Sequence, residues 1–241
     1  MTLHAVIMAG GKGTRLKPYT ACLPKGMMPI ADRPNIEILL RQLKYFGFER
    51  VTISTGHMAG ILQAYFSAHP IPGLAIDYTE EKTALGTVGA LRLVKDVQQP
   101  VLVVNCDVVT DLNFGEVYKV HRAGSSAVTI VLMRHAHVLP LGVVEVDADG
   151  LIRSFDEKPT LDFLVNTGIF VLEPRVIDTI EAGVEYGFDR LAAEIMAEGA
   201  QVASFIHEGS WFDIGSSTEY YLAQDAFESD PHRFLPEDDT L

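Results

Sequence analysis

The sequence predicts an α/β fold: a mixed, mostly parallel sheet with helices on both faces, joined by an antiparallel flap. Three observations carry this. Near-continuous apolar runs, Leu3 to Ala9 and Val101 to Asn105, have the pattern of strands buried on both faces. They alternate with stretches of helical apolar spacing, which is how strand–helix–strand units read in sequence. From Ala127 the pattern becomes strand-rich, and Asp147-Ala148-Asp149-Gly150 between two alternating runs marks a hairpin.

Leu3 to Ala9 is the first strand, and it runs directly into Gly10, Gly11 and Gly13, where the backbone can turn tightly and leave N–H groups uncovered. Lys12, Arg15, Lys17 and Lys25 follow closely, in a chain with a formal net charge of -13. This local inversion of charge suits a phosphate site, although the same glycines would serve a plain tight turn with solvated lysines. Pro34-Asn35 opens a helix with Ile36, Leu39, Leu40, Leu43 and Phe46 at helical spacing, and Gly47 closes it. Val51 to Thr55 is a strand, His57 to Ser67 a helix, and Leu74 to Tyr78 another strand. Leu85-Gly86-Thr87 stands at the entrance of a helix reaching Val94, and small residues there let a planar base approach the backbone.

The run Val101 to Asn105 delivers Asp107 to the carboxyl end of a central strand, the place where ligands gather in open α/β sheets. A carboxylate there suits Mg2+, which takes one or two carboxylates plus phosphate oxygens. A capping role for Asp107, and a metal role for Asp111 instead, are the competing readings. Val128 to Met133, Leu141 to Val146 and Leu151 to Glu157 are the strands of the flap region. Val165 to Val171 is a strand, Pro174 starts a helix, and Gly187 to Glu198 is a scaffold helix with Phe188, Leu191, Ile195 and Met196 on its buried side. After a strand from Gln201 to His207 comes Trp211-Phe212-Asp213-Ile214-Gly215, where a carboxylate between large apolar residues calls for a compensating cation. Thr218 to Phe227 is the final helix. One domain is expected over 1–228, with 229–241 as an acidic, mobile tail.

With 48% hydrophobic and 21% charged residues among 241, the chain can bury a substantial core. No apolar run approaches the roughly 20 residues that span a bilayer, so no membrane partner is expected. Cys22 and Cys106 have neither metal-type spacing nor the number for a disulfide framework. Together these features predict a cytoplasmic protein. The acidic balance argues against a nucleic-acid partner and for a small anionic ligand bound with a metal ion.

Two common phosphate loops are excluded by single positions. A dinucleotide fingerprint needs a third glycine where Leu16 stands, and a P-loop needs Ser or Thr where Gly13 stands. What remains, G-G-x-G-T-R over Gly10 to Arg15 followed by Pro24-Lys25, resembles the signature of the sugar-phosphate nucleotidylyltransferases. The resemblance implies the Rossmann-like nucleotide-diphospho-sugar transferase fold and a catalytic domain without an added β-helix. It implies that Ala9, Gly10, Gly11, Gly13 and Thr14 hold the nucleotide, that Arg15 meets the departing pyrophosphate, and that Lys25 bridges the reacting phosphates. Glu81, Gly86 and Thr87 would face the base, although Glu81 also reads as one of several solvated charges. In the flap, Gly142 and Glu157 would hold sugar hydroxyls and Lys158 the sugar phosphate, with Asn166 and Thr167 sharing the sugar contacts. Asp213 would join Asp107 on one Mg2+. Gly26 replaces the proline usual after the lysine, and Cys106 replaces the glycine usual before the aspartate.

The implied reaction joins an NTP and a sugar 1-phosphate into an NDP-sugar and pyrophosphate. Short length and the Glu81 segment look most like guanylyltransferases acting on mannose or heptose 1-phosphate, so GTP is the expected nucleotide, with uridylyl or thymidylyl transfer as the alternative. A homodimer is also expected from the resemblance. A regulatory protein that binds nucleotide sugars without catalysis would be expected to have lost Arg15, Lys25, Asp107 or Asp213, and all four are present. A nicotinamide oxidoreductase is disfavoured by Leu16, and a cytidylyltransferase of related fold is a further rival.

Overall fold

A computed structural model describes residues 2–235. Strands β1 (Leu3–Ala9), β2 (Pro29–Ile30) and β3 (Arg33–Pro34) flank a glycine loop and three short 3-10 turns, and α1 (Asn35–Tyr45) follows. Then come β4 (Phe48–Thr55), α2 (Ala59–Ala68), β5 (Ala75–Glu80), α3 (Gly86–Gly89), β6 (Val101–Asn105), β7 (Val108–Thr110) and α4 (Phe114–Ala123). The second half holds β8 (Val128–Val138), β9 (Gly142–Val146), β10 (Ile152–Glu157), β11 (Thr160–Leu172), α5 (Pro174–Thr179) and α6 (Phe188–Ala197). It ends with β12 (Val202–His207), β13 (Trp211–Asp213), α7 (Ser217–Ser229) and α8 (Pro231–Phe234).

Seven strands form the main sheet in the order β12-β8-β11-β6-β1-β4-β5. β1 lies parallel to both β4 and β6, and β11 runs antiparallel between β6 and β8. The sheet is therefore mixed and mostly parallel, as the alternation of apolar runs predicts. Its central strands are apolar throughout because both faces are covered. On one face Leu39, Leu43, Leu62, Phe66, Phe114 and Val117 from α1, α2 and α4 pack on Ile7, Ile53 and Val104. On the other, Val176, Ile177, Leu191 and Ile195 from α5 and α6 pack on Val6, Val103 and Phe170. Met196, expected on the buried side of α6, is instead 57% exposed. Ile195, its neighbour, takes the core position, since adjacent helical residues point about 100° apart.

The flap is built in two pieces. β8 and β11 run past the main sheet, pairing Met133 with Val165 through to Val138 with Thr160. Beyond them β9 and β10 form a separate antiparallel hairpin, with Val144 opposite Phe155 and Val146 opposite Ile152. Asp147 and Gly150 make the expected turn, in which the Asp147 carboxylate accepts from the N–H groups of Asp149 and Leu151. Among the described residues no helix is long and apolar enough to cross a membrane.

A third apolar cluster lies beyond the sheet, joining Leu16, Met28 and Ile30 to Val109, Ile214, Tyr220, Phe227, Phe234 and Leu235. This corrects the expected tail in part: Ser229 is the last residue of α7, α8 follows, and Phe234 and Leu235 are buried. Residues 236–241 lie outside the described residues. Apolar Phe234 and Leu235 inside an acidic stretch are what draw residues 231–235 onto the domain.

Arg233 of α8 donates from Nε to Asp111 Oδ2. Asp111 Oδ1 pairs with His207 Nε2 at 2.9 Å and accepts from the Ser210 N–H at 2.8 Å. Burial raises the Asp111 carboxyl, but the donors His207, Ser210 and Arg233 outweigh it and hold the group at about 2 instead of 3.8. A depressed carboxyl stabilises the fold above its unfolded value and loses that contribution as pH falls through its folded value. Asp111 should therefore contribute about 2 kcal/mol above pH 4, lost progressively down to pH 2. Urea denaturation at pH 5, 3.5 and 2.5 should show a shallower loss for Asp111→Asn than for the parent. Equal slopes would show that Asp111 takes no part.

Candidate active site

β1 and β6 are parallel neighbours with Met8 opposite Asn105, so the glycine loop and the Cys106-Asp107 turn leave the sheet side by side. The turn is held from three directions. The Cys106 N–H donates to Met8 O at 3.1 Å and the Ile214 N–H to Asp107 O at 3.0 Å. Asn35 Nδ2 donates to Cys106 O at 2.9 Å and Val108 O at 3.0 Å. Immediately after the turn β7 pairs antiparallel with β13, and Asp213 lies opposite Val108. Asp107 and Asp213 thus emerge at the same end of one short ribbon.

Lys25 reaches between them. Its Nζ donates to Asp107 Oδ2 and lies 3.9 Å from Asp213 Oδ1, and Arg15 Nη2 lies 3.8 Å from Asp213 Oδ2. The two cations differ in setting: the Lys25 side chain is 14% exposed, that of Arg15 68%. Burial pulls the Lys25 ammonium below its ordinary value, with Cys106 and Asp213 opposing the shift and Arg15 reinforcing it. Burial likewise pushes the Cys106 thiol up to about 11, so the sulfur beside Lys25 is neutral. Gly26 and Cys106 meet here: a Cβ on Gly26 would stand 3.2 Å from Cys106 Cβ and 3.3 Å from Ile36 Cβ. The two departures from the expected motif thus share one small space, and only one of them carries a side chain. A Cβ on Gly215 would lie 2.8 Å from Arg15 Nη2, 2.8 Å from Asp213 Oδ1 and 3.0 Å from Lys25 Nζ, so this backbone forms a wall of the charged site.

A cleft of 440 Å³ opens over these groups. Of the residues singled out in the sequence, Gly10, Gly11, Arg15, Lys25, Glu81, Gly86, Thr87, Asp107 and Asp213 line it together. Glu81 accepts from the Leu85 N–H at 3.1 Å and from Ser54 Oγ at 3.5 Å, while its burial pushes the carboxyl up. A second hollow of 880 Å³ shares Gly10, Gly11 and Glu81 and adds Lys12, His57 and Lys82.

Other singled-out residues sit elsewhere. Ala9 is buried at the end of β1, and Gly13 and Thr14 open the first 3-10 turn, where Thr20 Oγ1 donates to Gly13 O at 2.7 Å. Gly142, Glu157, Lys158 and Asn166 are exposed on the flap and do not line the cleft. Thr167 corrects its expected role: it is buried, and its hydroxyl donates to Val131 O at 2.8 Å, so it braces β8. Asp111 is no rival for a metal, because it does not line the cleft and its carboxylate is held elsewhere by His207, Ser210 and Arg233. Asn105, Cys106 and Glu185 line the cleft without having been singled out as site residues. For Asn105 the signal was its place at the end of the central strand, whereas Glu185, in a loop remote in sequence, carried none.

Among the described residues no group of three or more His, Cys, Asp or Glu could hold a metal ion. Two carboxylates on one cleft wall instead match a hard cation that shares its shell with phosphate oxygens. Backbone N–H groups of a glycine loop with two cations opposite two carboxylates can bind a polyphosphate and stabilise charge moving along it.

A family model described as nucleotidyl transferase matches residues 4–230. The chain is 33% identical to a UTP–glucose-1-phosphate uridylyltransferase of Synechocystis sp., over 92% of this chain and 62% of the relative. It is 31% identical to a mannose-1-phosphate guanylyltransferase of Mycobacterium tuberculosis, over 90% of this chain and 62% of the relative. The chain thus spans about three-fifths of the length of these curated relatives. Among solved structures, a UDP-glucose pyrophosphorylase complexed with UDP-glucose superposes with a TM-score of 0.74 at 22% identity, covering 95% of this chain and 99% of that one. HddC from Yersinia pseudotuberculosis complexed with GMP-PN gives 0.71 at 22% identity, covering 94% and 100%. These likenesses show the nucleotide-diphospho-sugar transferase fold.

Proposed function

Because this chain belongs to the nucleotidyl transferase family, we propose that it transfers a nucleoside monophosphate from an NTP to a sugar 1-phosphate, giving an NDP-sugar and pyrophosphate. The observation that carries this reading is the convergence of Asp107 and Asp213 on Lys25 beneath the glycine loop, with Arg15 at the mouth. A sugar-phosphate oxygen is already anionic at neutral pH, so the site needs no general base. What it must do is bring two polyanions together and spread the charge that moves during in-line attack.

Each group has a part suited to its place. An oxygen of the sugar phosphate forms a bond to the α-phosphorus as the bond from that phosphorus to the pyrophosphate oxygen breaks. Lys25, desolvated and held by Asp107, offers positive charge to the α-phosphate. Arg15, exposed to solvent and 3.8 Å from Asp213, is placed to meet the departing pyrophosphate together with the Gly10 and Gly11 N–H groups. Asp107 and Asp213 are the residues that would hold Mg2+, which when bound withdraws charge from the phosphate oxygens. Lys158 and Glu157 on the flap are the groups assigned to the sugar phosphate and sugar hydroxyls.

GTP is the proposed nucleotide. Glu81 presents a carboxylate to the cleft, and such an acceptor matches the ring N–H and exocyclic amine of guanine. The uridylyltransferase among the relatives makes UTP the second reading. The test is pyrophosphate release with Mg2+, scanning GTP, UTP, dTTP, CTP and ATP against hexose and heptose 1-phosphates. Release that needs both substrates and stops with EDTA is the expected result, with GTP fastest. A faster UTP reaction would overturn the base assignment, and silence of a folded, NTP-binding protein across the panel would overturn the reaction.

A further inference from the structure

Taking Asp107 and Asp213 as the cation-holding pair, we propose that Arg233 in the C-terminal helix is a positioning residue for that pair, acting through Asp111 and the β7–β13 ribbon. The ribbon is only three residue pairs long: Val108 with Asp213, Val109 with Phe212, and Thr110 with Trp211. One end carries both carboxylates. The other end is tied by Asp111, whose N–H donates to Ser210 O at 3.3 Å and whose Oδ1 accepts from the Ser210 N–H at 2.8 Å. Thr110 Oγ1 adds a bond to Ser210 O at 2.7 Å.

Asp111 can do this only while its side chain is fixed. His207 holds Oδ1 from the side of β12, and Arg233 holds Oδ2 from α8. α8 is in turn seated by Phe234 and Leu235 in the apolar cluster that contains Val109 and Ile214, residues of the same ribbon and the loop beyond it. A ribbon this short specifies its register weakly, and a slip of one residue turns every side chain to the opposite face. Such a slip would take Asp213 away from Lys25 and Arg15. The clamp at Asp111 fixes the register from the far end, so a contact from the C-terminal helix sets the spacing of the two carboxylates.

The chain carries a built-in reporter. Its single tryptophan, Trp211, lies in β13 and donates from Nε1 to Thr167 O at 2.9 Å. Arg233→Ala should raise the Mg2+ concentration for half-maximal pyrophosphate release about tenfold, the usual scale for loss of a group that orients metal ligands. The KM for sugar 1-phosphate should change less than twofold, and Arg233→Lys should restore most of the Mg2+ response. In metal-free protein without substrates, acrylamide should quench Trp211 more strongly in Arg233→Ala than in the parent. Leu62→Ala, which empties a core site on α2, serves as the comparison for general destabilisation. If Arg233→Ala behaves like Leu62→Ala, with lowered Tm but unchanged Trp211 quenching and Mg2+ response, the positioning role is wrong. A parent protein that releases no pyrophosphate would overturn the reaction and leave the quenching comparison to decide the coupling.

Discussion

Asp107→Asn is expected to lower turnover about a thousandfold while leaving the fold in place. Asparagine keeps the shape of the side chain, and the turn that carries it is held through backbone groups by Asn35, Ile214 and Met8, none of which depends on the carboxylate. What disappears is one of two negative charges facing Lys25, and the remaining one, on Asp213, is 3.9 Å away. Charge stabilisation by one preorganised group is worth about a hundred- to a thousandfold in rate, and Asp107 both holds Lys25 and is one of the two carboxylates proposed for the metal. Turnover of pyrophosphate release, with far-UV circular dichroism and Tm as checks on the fold, measures it. Turnover within a factor of a few of the parent would remove Asp107 from the reaction.

Gly86→Ala is expected to cause the largest loss of stability from a single methyl group. Gly86 has a φ of +74°, and a Cβ there would stand 2.7 Å from Tyr186 O and 2.9 Å from Tyr186 N, both backbone atoms. That backbone cannot yield cheaply: the Tyr186 N–H donates to Leu85 O at 2.8 Å, and its carbonyl accepts from the Val88 N–H at 3.1 Å. Left-handed strain and overpacking against fixed backbone together cost about 3 kcal/mol. For a chain of this size that lowers Tm by about 6–12 °C. Gly47→Ala separates the two causes, because Gly47 has a φ of +90° with nothing within 4 Å of the added Cβ. It should cost only the strain, about 1–2 kcal/mol. Equal losses for the two substitutions would show that contact with Tyr186 is unimportant.

The parts of the fold that were legible in the sequence are those where one physical demand governs a whole segment. β1 and β6 read as strands because the centre of a covered sheet admits only apolar side chains, and the turn that ends β1 was marked by Gly10, Gly11 and Gly13. The place of β11 was not legible. It lies antiparallel between β6 and β8, and pairing partners so far apart leave no trace in local periodicity. The extensions of β8 and β11 were read short because, past the sheet, their residues alternate without a buried face to fix the pattern. In the site, Asp107 and Asp213 stand out because each carboxylate ends or interrupts an apolar run, where it is otherwise expensive, whereas Arg15 and Lys25 were singled out by the inverted charge of the glycine loop and by the motif resemblance. Thr167 was assigned to the wrong side, since a hydroxyl next to Asn166 and Gly168 reads alike whether it faces a ligand or braces Val131 O. Arg233 was hidden for a plainer reason: a single cation in an acidic terminal stretch looks solvated until Phe234 and Leu235 are seen to pull it inward.

The order of strands in the sheet also has a consequence in time. β1, β4 and β5 are spatial neighbours and are complete in the chain by Glu80, so they can pair while the rest is still being synthesised. β6 must close against β1 over a long loop, and β13 must find β7 over a longer one, which are slow events. The glycine loop, Arg15 and Lys25 thus belong to the segment that pairs locally, whereas Asp107 depends on the closure of β6 and Asp213 on that of β13. If Asp107 and Asp213 hold a divalent cation as proposed, the site for it is complete only once both of these long closures are made.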